Sequence, residues 1–591
     1  MVWSSEELTK ARFWAEPLQV REVPSREALS NLKVGFIGSH RLKINLEFDC
    51  SIYTLTRQNF RSVIASSGLD FILFEPALNS NRKEWDAAAT DYYNNLEALS
   101  QIASQSGVPL VYWDTLGEGY DSIFSPIWSL FPYRYTADSN RGGEWRQLEP
   151  AIQPALHNPF RHRGDVTLFS VPVLFDGMVD ISRRSRDFEF LELINNEELC
   201  VFDSRYTMFP NKIQELDSRF SNVLGHLPVE LAYKAYKFSR YYLTVSTTQK
   251  EPVARLFDCI EAAACGAWVL DAGPEYIKGT FKGLFQKIPK DDLQKWLKNT
   301  SGEEWNAQRQ LNLRALVLNH TYAHRLSKLC DDLGVSNEEP RFPKISIITP
   351  SNRPHLSKKI VTQFINQTYS KKELVYVYNA NRSNEISDVV ESVDNLKFYS
   401  LPPEMNIGSC MNYAISKATG EFCVKMDDDD FYGNNYLLDI FVCLKCIAAD
   451  FWGKPPSFIY FQSTDELYFR ENSNRRAVPY SFCLGKELGL SYKMKNSKSL
   501  VTFNLAGNTL GGQASSLLRH KFSVSNVGAV DTIFHDMEKK PNSVVAVMCC
   551  GNMAVYRDEN LEAHNWRVSE NQLKGKAKLI GRGMKHEKVF Y

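Results

Sequence analysis

Four consecutive carboxylates, Asp427 to Asp430, are the residues best suited to chemistry in this 591-residue chain. Like charges so close repel, so a folded site that holds them needs a cation among them. Hard oxygen ligands suit Mg2+ or Mn2+, which use one or two carboxylates and complete their shell with water and phosphate. The run follows the apolar-leaning Phe422-Cys-Val-Lys-Met426 and precedes Phe431, Tyr432 and Gly433. An apolar segment with a sharp polar end and then a turn reads as a buried parallel strand finishing at the mouth of an α/β sheet. Ligands of open α/β sheets bind at that carboxyl end. The plainer alternative is a solvated acidic loop. Its place at the end of a strand, inside a well-patterned domain, speaks against that.

Several separated motifs agree with a metal site. They are Lys344-Ile-Ser-Ile-Ile-Thr-Pro-Ser-Asn-Arg-Pro354, Gln367-Thr-Tyr369, Asn406-Ile-Gly-Ser-Cys-Met-Asn412 and Lys425-Met-Asp-Asp-Asp-Asp430. In order and spacing they resemble a family-2, GT-A-type glycosyltransferase over residues 343 to 570. The resemblance implies a nucleotide-sugar donor, a UDP-sugar first, and Mn2+ or Mg2+. It puts Asp427 and Asp429 on the family's D-x-D pair, with Asp429 as metal ligand and Asp427 and Asp428 beside the donor. It lays the nucleotide on the loop of Pro350, Asn352 and Arg353, with Asn379 at the base and Asn412 on a helix over it. Asn379 stands where many members have aspartate; an amide both accepts and donates, so the choice of base stays open. Asp531 falls on the family's general base, and His564, in Ala563-His-Asn-Trp-Arg567, on a histidine that completes the metal site. Asp536 is an alternative base, and an N-cap role is the alternative for Asp531.

The elements that must position these residues come in two halves. Lys33–Gly38, Leu69–Glu75 and Val108–Asp114 read as strands with helical stretches such as Trp85–Gln105 between them. Asp165–Ser170, Glu198–Phe202 and Tyr242–Ser246 read as further strands, with a helix over Pro228–Phe238. Alternating strands and helices predict parallel, doubly wound sheets. The run Arg255 to Asp271 predicts an alanine-rich helix that stops at Gly266 against an immediate strand. The helix end Glu261-Ala-Ala-Ala-Cys-Gly266 resembles the donor-site helix of GT-B glycosyltransferases, and residues 31 to 330 resemble the spore-maturation-type branch. That likeness implies a ribose contact for Glu261, against a plain ion pair with a nearby lysine. A second family glutamate is replaced by Val253.

The expected fold is therefore α/β: two Rossmann-like units, GT-B-like, followed by a GT-A nucleotide-sugar-binding domain. The boundaries are a lead-in at 1–30, units at 31–150 and 151–335, a polar linker at 336–343, the GT-A domain at 344–573 and a basic tail at 574–591. The tail reads as a solvated end or as a contact with an anionic membrane.

Composition bounds the rest. A chain this long holds about two to four domains. Apolar content of 43% and charged content of 23% are ordinary for globular protein. A formal net charge of zero gives no field toward nucleic acid. No apolar run is long enough to span a membrane, and the first residues lack a secretory pattern. The 12 cysteines are scattered, with Cys443 and Cys446 read as helix-face packing, so a reducing cytosol is expected, with or without contact at the inner face of the membrane. The function expected is inverting transfer of a sugar onto a glycan or lipid-linked glycan, in bacterial surface polysaccharide synthesis. Three versions stand: a bifunctional enzyme, a catalytic GT-A half with an acceptor-binding GT-B scaffold, and a sugar-binding or structural protein with decayed sites.

Overall fold

The structure is a computed structural model that describes residues 29–76, 85, 92–138, 141–163, 171–177, 191–194, 198–203, 227–244, 252–271, 279–337, 341–380, 390, 393–470, 478–485, 505–524, 541–558, 568–584 and 587–591. The chain divides into two compact units. The first comprises Met1–Pro159, Phe169–Thr300 and Asn312–Arg341; the second Phe160–Leu168, Ser301–Leu311 and Phe342–Tyr591. The second unit is thus built from three separate stretches, two of them upstream of the polar stretch 336–343.

The first unit holds two all-parallel sheets, as the alternation of elements predicts. Strands β1 (Lys33–Ile37), β2 (Ser51–Thr54), β3 (Phe71–Phe74), β4 (Leu110–Asp114), β5 (Tyr133–Thr136) and β6 (Arg146–Gln147) form one, in the order β2-β1-β3-β4-β5-β6. The short β7 (Arg161–His162) belongs to the second unit. Strands β8 (Val171–Gly177), β9 (Leu199–Asp203), β10 (Ser239–Thr244), β11 (Trp268–Asp271) and β12 (Phe285–Lys287) form the other sheet, in the order β12-β11-β10-β8-β9. The strand expected over Asp165–Ser170 lies outside the described residues; β8 starts at Val171, just after it. Helix α1 (His40–Leu46) follows β1, and helix α2 (Pro252–Ala264) precedes β11. Gly266 takes φ +94°, a left-handed conformation open to glycine, and turns the chain from α2 straight into β11. Ala262, Ala263 and Ala264 are fully buried, because small side chains let α2 lie close on its sheet.

The second unit is built on a nine-stranded mixed sheet. Its strands are β13 (Ile345–Ser351), β14 (Lys372–Tyr378), β15 (Leu396–Ser400), β16 (Phe422–Lys425), β18 (Phe451–Gly453), β21 (Ser481–Leu484), β22 (Gly511–Gln513) and β23 (Val544–Val547), with β7 at one edge. The order is β15-β14-β13-β16-β22-β18-β23-β21-β7. A five-stranded sheet, β17-β24-β19-β20-β25, joins β17 (Phe431–Tyr432), β19 (Phe458–Phe461), β20 (Glu466–Phe469), β24 (Met553–Arg557) and β25 (Lys578–Arg582). Strands β19 and β20 pair antiparallel, with Phe458 opposite Phe469. Helices α3 (Ser357–Ile365), α4 (Ile407–Lys417) and α5 (Tyr436–Cys446) complete the elements near the acidic run. Asn406 caps α4 by accepting from the Ser409 N–H at 2.9 Å. Met411 lies in the core with Ile348, Val375 and Val377. Cys443 and Cys446 are buried on α5, as packing requires.

The basic tail is not a solvated end. Its strand β25 pairs antiparallel with β20, and Val589 is fully buried. Lys574 meets Glu466 at 3.0 Å, Lys578 meets Glu303 at 2.7 Å and Lys588 meets Glu304 at 3.1 Å. Apolar burial and local carboxylates hold the segment, and charge counting alone misses both.

At the end of the sheet away from the acidic run, Glu373 ties three segments together. Its carboxylate accepts from Ser346 Oγ at 2.5 Å, Thr419 N at 2.6 Å and Thr419 Oγ1 at 2.9 Å, and faces Lys397 at 3.0 Å and Lys344 at 3.1 Å. Burial alone would push this carboxyl up, but the hydrogen bonds and lysines hold it down to about 2. A depressed folded-state value means the stabilisation is complete above the ordinary 4.5 and is lost as pH falls through about 2. Glu373→Gln is therefore expected to lower stability at neutral pH by about 2–3 kcal/mol. The gap between variant and parent, measured by urea denaturation, should close as pH falls from about 5 toward 2.

Candidate functional site

The acidic run begins where β16 ends. Strand β13 runs parallel to β16 with Ile348 opposite Lys425, so the loop after Ser351 and the loop after Lys425 emerge side by side. Two backbone links fix the start of the run: Met426 N–H donates to Ile348 O at 3.2 Å, and Thr349 Oγ1 donates to Met426 O at 2.9 Å.

Each of the four carboxylates has its own partners. Asp427 faces Lys425 Nζ at 2.7 Å, and that ammonium also donates to Gly507 O at 3.2 Å. Lys425, the last residue of β16, is 3% exposed and stands only two residues before Asp427. Asp428 is buried; it accepts from Ser351 Oγ at 2.5 Å, from Arg353 Nε at 2.9 Å and from Arg353 Nη2. Asp429 Oδ2 accepts from Arg353 Nη1 at 3.1 Å, and its carbonyl accepts from Lys359 Nζ. Asp430, buried, accepts from Tyr556 N at 2.9 Å and from Asn508 Nδ2. Burial, then the neighbouring charges of Asp429 and Asp427, push the Asp430 carboxyl up to about 8. Burial also brings Lys359 down to about 8, although its ammonium lies 3.8 Å from the centre of the Phe431 ring.

A second ring of groups braces the loop. Asp427 N–H donates to Tyr432 Oη at 2.8 Å, and that hydroxyl donates on to Asn508 O at 2.8 Å. Gln363 on α3 accepts from Tyr432 N–H at 2.7 Å.

The donor set fits a hard divalent ion. Asp427, Asp429 and Asp430 each offer a carboxylate oxygen within 4.8 Å of the other two. Beside them, Asn508 Oδ1 is buried and has no hydrogen-bond partner, while its Nδ2 is fixed by the Asp430 carboxylate. An orphaned amide oxygen next to carboxylates offers one more hard ligand or an acceptor for a bound water.

The other expected residues divide into three groups. Pro350 is buried at the end of β13, Asn352 is exposed beside Arg353, and Asn379 closes β14 with its amide donating to Met405 O at 2.9 Å. Asn412 has both ends of its amide taken by the Phe522 backbone, at 2.9 and 2.8 Å. Asp531, Asp536 and His564 lie outside the described residues. Sequence reading missed Lys359, Lys425 and Asn508. The period of two on β16 could have flagged Lys425, and the Ala506–Gly512 segment carries Asn508 to the acidic run.

In the first unit Glu261 is 2% exposed on α2, held by Arg41 of α1 rather than by a lysine. Arg41 Nη2 lies 2.7 Å from Glu261 Oε2, its Nε donates to Oε1 at 3.1 Å, and its Nη1 meets Asp258 at 2.8 Å. His157 accepts from Gln153 N–H at Nδ1, 3.1 Å, and turns Nε2 toward Glu261 at 3.6 Å. Burial and the nearby Arg41 and Lys237 charges keep His157 neutral, well below its ordinary value.

Comparison with known proteins places a familiar segment around the acidic run. Residues 346–441 match the family model described as Glycosyl transferase family 2. No curated protein sequence matches the chain. Among solved structures the chain is similar to the mannosyltransferase PcManGT from Pyrobaculum calidifontis, in complex with GDP-Man and Mn2+. Identity there is 15%, over 38% of this chain and 59% of that one, with a TM-score of 0.26. It is similar to S. aureus TarS 1-349 at 19% identity, over 36% of this chain and 60% of that one, TM-score 0.26. It is also similar to Anabaena Alr3699/HepE, in complex with UDP and glucose, at 11% identity, over 51% of this chain and 99% of that one, TM-score 0.35. The chain thus spans about three fifths of the first two structures.

The Arg41 cluster gives a direct test of its structural weight. Removing the cation strands two carboxylates, so Arg41→Met should cost about 3 kcal/mol or more in urea denaturation. Adding Glu261→Met should restore a large part of that loss, since an apolar replacement leaves no charge behind.

Proposed function

We propose that the second unit transfers a sugar from a nucleotide-sugar donor, a UDP-sugar, to a glycan or lipid-linked glycan acceptor, with inversion at the anomeric carbon. The setting proposed is the synthesis of a bacterial surface polysaccharide. The observation that carries this reading is the acidic run at the mouth of β13 and β16, inside the residues that match the family-2 glycosyltransferase model. Asp429 would hold Mn2+ or Mg2+, with Asp427 and Asp430 at its side and His564 as a further ligand. A bound divalent ion supplies Lewis-acid stabilisation of the departing diphosphate.

The chain's own groups do the rest. Arg353 and Lys359 stand beside the carboxylates and offer N–H donors to a diphosphate as its charge grows. Donors aimed at charge that develops in the transition state raise turnover, not merely binding. Pro350, Asn352 and Asn379 line the ends of β13 and β14, where the nucleoside would lie. Asp531 is the proposed base that takes the acceptor hydroxyl's proton on the face opposite the leaving group.

For the first unit we infer a scaffold or acceptor-binding role. The engagement of Glu261 by Arg41 supports it, because the carboxylate expected on a donor ribose already has a buried cation. No helix among the described residues is long and apolar enough to cross a membrane.

The test is nucleotide release from a panel of UDP- and GDP-sugars with Mn2+, on the full chain. Asp429→Asn and Asp531→Asn should each lose about 100-fold or more in rate, with Asp531→Asn still binding nucleotide. Glu261→Gln should leave the rate unchanged. Loss in Glu261→Gln with activity kept in Asp429→Asn would move the chemistry to the first unit.

A further inference from the structure

A run of four carboxylates is expected to draw its cation from solution, yet among the described residues the chain itself supplies Lys425 on Asp427, Arg353 on Asp428 and Asp429, and Lys359 on the Asp429 carbonyl. They are not equally fixed. Lys425 is 3% exposed and held by Gly507 O as well as by Asp427. Lys359 lies against the rings of Phe431 and Tyr556. The Arg353 side chain is 31% exposed and rises from the loop after β13. It grips Asp428 through two nitrogens but touches Asp429 through one.

That single contact matters, because Asp429 belongs to the carboxylate group that could hold a divalent ion. The unpartnered Asn508 Oδ1 beside the group points independently to an absent ligand there. An ion at this position would meet the Arg353 guanidinium at short range, and like charges in a half-buried site repel strongly. It would also have to replace a charge-assisted hydrogen bond. Either cost falls once a diphosphate is present, since its oxygens give the guanidinium a new fork to bind and offset the ion's charge.

We propose that Arg353 is the resident counter-cation of the acidic run, and that it yields Asp429 to a divalent ion only when a nucleoside diphosphate arrives with it. The proposal rests on the nucleotide-sugar reading of this site. Metal and nucleotide then enter as a pair. The chain alone carries little metal, and the donor's diphosphate, not the ion, turns the arginine.

Mn2+ binding tests this without any turnover. Free Mn2+ is followed by electron paramagnetic resonance during titration of the full chain, with and without UDP or GDP. The wild type should take up Mn2+ about ten-fold or more tightly with nucleotide than without. Arg353→Gln should bind Mn2+ alone about ten-fold tighter than the wild type and lose most of the help from nucleotide. Arg353→Lys, which keeps the charge and loses the fork, should fall between them. Thermal melting of each variant shows that it is folded, and a damaged site would lose metal affinity rather than gain it. An Arg353→Gln protein that binds Mn2+ alone no better than the wild type overturns the proposal while leaving the nucleotide-sugar reading intact. A wild type that takes up no Mn2+ with either nucleotide overturns that reading, and the arginine's role with it.

Discussion

The repulsion among Asp427, Asp428, Asp429 and Asp430 is the constraint that the surrounding architecture answers. Four adjacent negative charges in a half-buried loop would unfold it unless each found a donor or a cation. The answer draws on widely separated sequence: Ser351 at the end of β13 and Arg353 just after it, Lys359 and Gln363 on α3, Lys425 on β16, Asn508 before β22 and Tyr556 on β24. These segments converge only because the parallel core places the ends of β13 and β16 together. The sheet order thus serves the loop as much as the loop caps the sheet.

The two ends of that sheet illustrate opposite uses of a buried carboxylate. Glu373 is surrounded by hydroxyls, an amide N–H and two lysines, so its charge is fully matched and it acts as a fixed tie. Asp430 is surrounded by fewer donors and by other carboxylates, and its proton is correspondingly hard to remove. Carboxyls pushed up by burial beside like charges gather where ligands act, whereas fully matched ones such as Glu373, pushed down, hold the frame.

Much of this was legible in the sequence. The alternating strands and helices gave parallel sheets, the Gly266 stop was where a left-handed turn is needed, and the Asp427–Asp430 run sits at a strand's carboxyl end as its flanks required. Three things were not. The partner of Glu261 is 220 residues away on α1, and no local pattern reports such a pair. Lys359, a cation of the acidic run, was hidden because it looks like an ordinary surface lysine until its burial is known. The tail's lysines suggested solvent or lipid, because the carboxylates that meet them, Glu303 and Glu304, lie far upstream.

The discontinuity of the second unit carries a consequence for how this polypeptide can be divided. Cutting at the polar stretch 336–343 would separate the acidic run from β7, the edge strand that pairs with β21, and from Gln310, which accepts from the buried Tyr480 hydroxyl. Arg309, sandwiched by Trp305 and Tyr480, would go with them. A fragment starting at residue 344 would therefore bare an unpaired strand edge, the kind of surface that recruits other chains. The polar stretch does hold a boundary between the units, between Arg341 and Phe342, but the second unit also draws on two stretches upstream of it. As a unit of inheritance or of expression, the smallest piece that keeps this sheet whole reaches back to Phe160.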